Sequence, residues 1–222
     1  MSVGRLIVVE GIDGSGKTAV TKRLSELWDT EFPGQVVHCV RDPGSNPVAE
    51  SVRDIIMNNG DIASTTEMML FAAARSQLVE QTIVPVMQEG KTVICDRFTP
   101  STFVYQISRL YGQEEMLDNF NVGLQAYNMM SSLTMLLRWP TPWVYIYLKC
   151  PTELCSRRIA EKKNGNRLDA DEKEQSIRAR LYDWYFRMHP NVIVADTSCV
   201  TLDETVSGLF SSLKELAKRK PM

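Results

Sequence analysis

The run Gly11-Ile12-Asp13-Gly14-Ser15-Gly16-Lys17-Thr18 constrains this chain more than any other feature. It fits the pattern G-x-x-x-x-G-K-[ST]. It stands directly after the apolar run Leu6-Ile7-Val8-Val9 and directly before a helical pattern with Val20, Leu24, Leu27 and Trp28 on one face. Glycines at Gly11, Gly14 and Gly16 let backbone N–H groups turn inward around phosphate oxygens, and the following helix adds the positive end of its dipole. Asp13, Ser15, Lys17 and Thr18 complete an ATP-binding loop of this kind, in which Lys17 reaches the β- and γ-phosphates and the Thr18 hydroxyl binds Mg²⁺. The loop gives nucleotide binding and leaves the reaction open, since kinases, GTPases, motors and helicases share it. No N-K-x-D guanine signature follows, which disfavours a GTPase, and the 222-residue chain is short for a helicase or motor.

The rest of the chain fixes the setting. Val36-Val37, Thr92-Val93-Ile94-Cys95, Val144-Tyr145-Ile146-Tyr147-Leu148 and Val192-Ile193-Val194 join the first run as five predicted buried strands. They are rich in β-branched residues and alternate only weakly, as in a parallel sheet covered on both faces. Helical patterns lie between them, for instance Met68, Phe71, Ala72, Arg75, Val79, Ile83 and Met87. The expected fold is therefore α/β, a five-stranded parallel sheet with helices on both faces and right-handed crossovers. With no repeat or low-complexity linker, residues 1–222 are expected to form one domain. Residues 114–138 read as one long helix carrying Met116, Met129, Met130 and Met135, ended by Pro140 and Pro142. Periodicity leaves open whether it is a core helix with gap-filling methionines, the favoured reading, or a dimer face.

Composition excludes several classes. A net charge of −2 argues against a nucleic-acid partner. No signal-peptide layout and no apolar run long enough for a membrane span are found, so no membrane role is expected. The five cysteines are odd in number and lack C-x-x-C spacing; Cys39, Cys95 and Cys150 sit in or beside apolar runs. Buried reduced thiols and a cytoplasmic location are expected.

A second set of residues faces the same end of the sheet. Asp96-Arg97 ends the third strand, where ligands of open α/β sheets bind. Asp96 there can orient Mg²⁺ waters or hold Arg97, whose planar fork suits phosphate oxygens. Arg41 and Arg53 suit the same task, and Phe71 and Arg75 stand four apart on one helical face.

These motifs, in this order, closely resemble thymidylate kinases: Val9-Glu10 through Thr18, Arg41-Asp42-Pro43-Gly44, Leu70-Phe71-Ala72-Ala73-Ala74-Arg75, and Asp96-Arg97-Phe98 with Tyr105-Gln106. Later markers are Asn166-Arg167-Leu168-Asp169, like the family's D-R-[IL]-E, and Ala195-Asp196-Thr197-Ser198. The resemblance implies a P-loop kinase with a mobile lid that phosphorylates dTMP from ATP with Mg²⁺, and a homodimer. Arg53 and Arg97 would hold the acceptor phosphate, with Asp42 positioning Arg97 and its neighbours. Phe71 would stack on the pyrimidine, Arg75 and Gln106 would bond its polar edge, and Thr102 stands where the family often has serine near the base. Tyr105 would lie under the sugar and crowd out a 2′-hydroxyl, and Asp13 would approach the 3′-hydroxyl and the magnesium waters.

Gly14 stands where one subgroup of the family carries a catalytic arginine. Members without it place basic residues in the lid, and residues 157–170 here carry Arg157, Arg158, Lys162, Lys163 and Arg167. Departures from the pattern are Ala19, Ala74, Ile107 and Asn166, and residues 119–142 have no clear counterpart. A divergent, viral-type member is the expectation, with another or modified deoxypyrimidine monophosphate (dUMP or 5-hydroxymethyl-dUMP) or a non-catalytic nucleotide-binding module as alternatives. In-line attack by the acceptor phosphate would place Lys17, Mg²⁺, Arg97 and a lid arginine, Arg158 or Arg167, around the spreading charge. Lys17→Met is accordingly expected to leave circular dichroism unchanged and cut kcat to less than about a tenth, as loss of even 1.4 kcal/mol of transition-state contact would.

Overall fold

The computed structural model describes residues 4–32, 35–161 and 172–219. Its centre is one sheet of five parallel strands, β1 (Leu6–Glu10), β2 (Val37–Arg41), β3 (Thr92–Asp96), β4 (Val144–Lys149) and β5 (Val192–Asp196), in the order β2-β3-β1-β4-β5. On β1, Val8 pairs with Cys95 on one side and Tyr145 on the other. Alternate side chains enter opposite layers, as the pleat dictates. Ile7 and Val9 pack with Leu24 and Trp28 of α1 (Lys17–Glu31) and with Leu209 and Phe210 of α11 (Leu202–Arg219). Leu6 and Val8 face a larger layer that contains Ala72, Met130 and Tyr182. The expected architecture, helices on both faces, is what forms.

The central strands are buried as their sequences imply, but the edges are not. On β5, Val194 is 52% exposed, and β2 is half-open along its length. An edge strand lacks a neighbour on one side, so its apolar letters do not guarantee burial. Cys39, expected to be buried, lies exposed on β2; Cys95 and Cys155 are buried and Cys150 is half-buried, all as free thiols.

Several connections bear on the site. Helix α2 (Pro47–Asn58) starts at Asn46, whose side chain accepts from the Ala49 amide at 2.9 Å, with Pro47 preset for the first turn. The long apolar face around Phe71 and Arg75 belongs to α3 (Ser64–Leu78), which passes through a π-helical turn, Val79–Ile83, into α4 (Val84–Gln88). After β3 the chain forms α5 (Thr99–Thr102), a second π turn, Phe103–Ile107, and α6 (Ser108–Tyr111).

The single helix expected over 114–138 is two helices, α7 (Gln113–Asp118) and α8 (Phe120–Leu136). Asn119 breaks it: its backbone is extended, and its side-chain oxygen accepts from the Asn121 amide at 3.1 Å. Asparagine competes with helix in this way, and apolar periodicity does not register it. Met116 and Met130 are buried fillers, whereas Met135 is 79% exposed. At its far end α8 closes with Arg138 in the left-handed region (φ 51°), the Arg138 amide donating to Met135 at 3.2 Å and the Trp139 amide to Thr134 at 3.1 Å. This is the Schellman arrangement, usually built on glycine. The chain then reaches β4, α9 (Thr152–Glu161) and α10 (Glu172–Arg187). Arg138→Gly should keep or raise stability by up to about 1 kcal/mol, and Arg138→Val should lower it by about 1–2 kcal/mol. Urea unfolding of the two variants measures the difference.

Candidate active site

Connections after β1 and β3 leave in opposite directions, so a crevice opens at the carboxyl ends of these strands. The loop following β1 lies on one side. Gly14 and Gly16 have φ of 81° and 98°. A Cβ on Gly14 would stand 2.4 Å from the Cys155 carbonyl oxygen of α9, so no side chain fits there without a shift of backbone. Gly16 caps α1 with no side-chain bond, and the first turn carries no acid, which leaves the helix N–H groups open to an anion. Lys17 is buried, its ammonium donating to the Ile12 carbonyl at 2.8 Å. Burial, and then the nearby Arg97 cation, lower its pKa to about 8. The Thr18 hydroxyl donates to Asp96 Oδ2 at 2.6 Å.

The turn after β3 forms the other side, and Glu10 holds it. This fully buried carboxylate accepts from the Phe98 amide at 2.7 Å, the Ser101 amide at 3.2 Å, the Ser101 hydroxyl at 2.8 Å and the Tyr182 hydroxyl at 2.8 Å. Burial pushes its pKa up, opposed by Arg97 and these donors. Arg97 takes a left-handed backbone, φ 74°, a strained conformation of the kind that gathers at working sites. Its guanidinium ion-pairs with Asp13 and donates to the Ser101 hydroxyl at 3.0 Å. Burial alone would raise the Asp13 pKa, but Arg97, Lys17 and Arg178 together hold it below its usual value.

Between these walls lies an open cavity of about 110 Å³. Each predicted acceptor residue, Asp42, Arg53, Phe71, Arg75, Arg97, Thr102, Tyr105 and Gln106, lines it, along with Asp13, Pro43, Met57 and Ser101. The pairing inside differs from expectation at one point. Asp42, foreseen as the partner that positions Arg97, accepts instead from Arg75 Nε at 2.5 Å, and both side chains are almost wholly buried. Arg97 commits its fork to Asp13 and Ser101, which leaves Asp42 to Arg75 of α3. Arg75 Nη2 donates to the Phe98 carbonyl at 3.0 Å. Arg75 Nη1 and the Thr102 hydroxyl are buried with no protein partner. Gln106 donates to Glu67 at 3.3 Å. Arg41, a candidate for phosphate binding, is spent on Glu50 at 2.9 Å outside the cavity.

Arg158, expected in a loop, lies in the last turn of α9. It donates to the Thr197 carbonyl at 2.8 Å and to the Gly14 carbonyl at 3.4 Å, so it packs against the phosphate loop. Residues 157–161 of the expected lid are thus helical, and its remainder, with Lys162, Lys163, Asn166 and Arg167, lies outside the described residues.

Sequence reasoning missed Glu10 as the organiser and Arg178 as a further buried cation. Arg178 donates to Asp13 at 3.4 Å and to Glu174 at 2.6 Å, with its guanidinium 4.4 Å from the Tyr105 ring centre. Both carried a signal. Glu10 ends a strand whose other letters are all apolar, and Arg178 sits on the same helical face as Leu181, Tyr182 and Tyr185.

A sheet of this order, a glycine loop opening onto a bare helix terminus, and an arginine-walled cavity opposite define a P-loop nucleoside monophosphate kinase, a phosphotransferase. A family model described as thymidylate kinase matches residues 9–205. A curated thymidylate kinase of Pediococcus pentosaceus is 32% identical over 219 residues, 96% of this chain and 98% of that protein. One from Limosilactobacillus reuteri is 30% identical over 193 residues, 85% and 84% of the two chains. Among solved structures, thymidylate kinase from Ehrlichia chaffeensis aligns with a TM-score of 0.68 and 25% identity over 96% of this chain and 99% of that one. The Candida albicans enzyme aligns at 0.73 with 19% identity over 97% and 93%, a likeness of fold. The chain belongs to the thymidylate kinase family, and the expectation of an enzyme that phosphorylates dTMP from ATP holds. None of the described helices is long and apolar enough to cross a membrane.

The depressed Lys17 pKa has a kinetic consequence. In the free enzyme the ammonium is charged below about pH 8 and loses its proton above it. kcat/KM for ATP should therefore fall as pH rises through about 8. kcat should stay level over the same range, because bound phosphates hold the proton on Lys17.

Proposed function

We propose that the P-loop holds ATP while the cavity holds dTMP, with its phosphate at Arg53 and Arg97 and its base against Phe71 and Arg75. One observation carries this reading: Arg75 Nη1 is a buried donor without a hydrogen-bond partner, and Arg75 lines the same cavity as Arg97 and Arg53. An acceptor with a phosphate at one end and a carbonyl at the other satisfies both.

The transfer needs position and charge more than covalent help. The acceptor phosphate is a dianion at neutral pH and attacks in line without a general base. Lys17 exchanges the Ile12 carbonyl for the β- and γ-phosphate oxygens, and the open N–H groups of α1 receive the remaining charge. Arg97, aimed by Asp13 and Ser101, meets the transferred group from the acceptor side. Tyr105, whose hydroxyl donates to Asp13 at 3.0 Å, underlies the sugar and leaves no volume for a 2′-hydroxyl. Arg158 and Arg167 supply the charge that Gly14 does not.

Thr18 and Asp96 would hold Mg²⁺. Their oxygens stand 2.6 Å apart at the head of α1, hard donors of the kind this ion takes. No group of three His, Cys, Asp or Glu that could hold a metal occurs among the described residues, so phosphate oxygens and water would complete the shell. The ion supplies positive charge over the phosphates. A homodimer could form through α2 and α3, where Val48, Ile55 and Met69 are exposed. Free thiols suit a cytoplasmic location.

A second acceptor is favoured by the Thr102 hydroxyl, buried and unpartnered beside the base site. It would bond a 5-hydroxymethyl group. An acceptor panel tests both readings. dTMP should exceed dUMP in kcat/KM by roughly 10–200-fold, the reach of one methyl in an apolar pocket. dCMP should be nearly inert, because its amino group presents a donor to a guanidinium that can only donate. 5-Hydroxymethyl-dUMP should be accepted. If dCMP or a purine nucleotide is the best acceptor, the base site is not at Arg75.

A further inference from the structure

Arg75 is the residue on which base choice rests in the reading above, and its own position has a cause outside the family motifs. Two in-plane bonds, from Nε to Asp42 at 2.5 Å and from Nη2 to the Phe98 carbonyl at 3.0 Å, fix one edge of the guanidinium. The face is covered by two rings, Phe98 at 5.1 Å and Trp139 at 4.8 Å from the guanidinium carbon. The two ring centres are 6.4 Å apart and tilted by 57°, so they form a corner in which the cation sits. Trp139 is buried, and its Nε1 donates to the hydroxyl of Ser76, the residue after Arg75 on α3, at 3.1 Å.

We infer that Trp139 is a positioning residue for acceptor recognition: delivered by the left-handed turn at Arg138 and tied to Ser76, it keeps Arg75 Nη1 aimed at the base. This rests on the placement of the base at Arg75. The indole does two things that the hydrogen bonds cannot. It excludes water from the face of a buried cation, and water would offer Nη1 an acceptor in place of the base. It also blocks rotation about the edge held by Asp42 and Phe98. A guanidinium kept dry and still rejects a cytosine amino group, while a wet or turning one discriminates less. Trp139 comes from residues 119–142, a segment for which the motifs supplied no role, and its touch on Arg75 gives that segment one.

Purified full-length protein would be compared as wild type, Trp139→Leu, Trp139→Phe and Ser76→Ala, each checked for a cooperative melt. Trp139→Leu fills the space without a ring; it should raise KM for dTMP roughly tenfold, about what a desolvated cation–π contact provides. It should cut the dTMP-to-dCMP ratio of kcat/KM by a similar factor, with KM for ATP and kcat within about twofold of wild type, a split that general destabilisation does not produce. Trp139→Phe should restore most of the ratio. Ser76→Ala, which loosens the indole without opening the core, should move KM for dTMP in the same direction by about threefold. A folded Trp139→Leu with wild-type KM and ratio overturns the positioning role. Should that variant not fold, Ser76→Ala decides, and wild-type values there overturn it equally. Wild type showing no preference for dTMP over dCMP would instead remove the base from Arg75, and this inference with it.

Discussion

The carboxylate of Glu10 joins three stretches of chain that lie far apart in sequence. It ends the central strand, gathers both amides and the hydroxyl offered by residues 98–101, and receives the Tyr182 hydroxyl from α10. A charge-capable group this deep is costly unless its lone pairs are filled, and here they are. Because Glu10 leads into the phosphate loop while its donors come from the turn after β3 and from α10, filling them sets the spacing between that loop and the turn that carries Arg97. The strained backbone at Arg97 persists because its neighbours Phe98 and Ser101 are held on this carboxylate.

The charges around the crevice are arranged as pairs with work left to do. Asp13 faces Arg97 and Arg178, and Asp42 faces Arg75. Each carboxylate makes a buried guanidinium tolerable while no anion is bound and fixes the plane of its fork. The ion pairs therefore serve geometry more than stability. Groups fixed in this way cost little further ordering when a ligand enters the crevice.

What the sequence made legible was local. The phosphate loop has all its parts within eight consecutive residues, and the strand-to-helix setting is visible in the same twenty. Asp96 and Arg97 could be placed because a strand end lies at a known edge of the sheet. Pairings between distant segments were not legible. Whether Asp42 would take Arg75 or Arg97, and whether Arg41 or Arg53 would face inward, depends on how α2 and α3 dock, and no spacing encodes that. Asn119 was overlooked because a break made by one polar side chain leaves the methionine periodicity intact. Glu10 and Arg178 each stand among apolar neighbours, and a charge in such company is the more informative letter.

The contact between Gly14 and the Cys155 carbonyl also bears on descent. An arginine entering the loop at this position would need α9 to withdraw first. Arg158 of that helix is bonded to the Gly14 carbonyl and to the chain just beyond β5, so withdrawal would also break the bonds that hold its guanidinium against the phosphate loop. Position 14 and the start of α9 therefore change only together. The absent side chain is a commitment that the phosphate loop and α9 hold jointly.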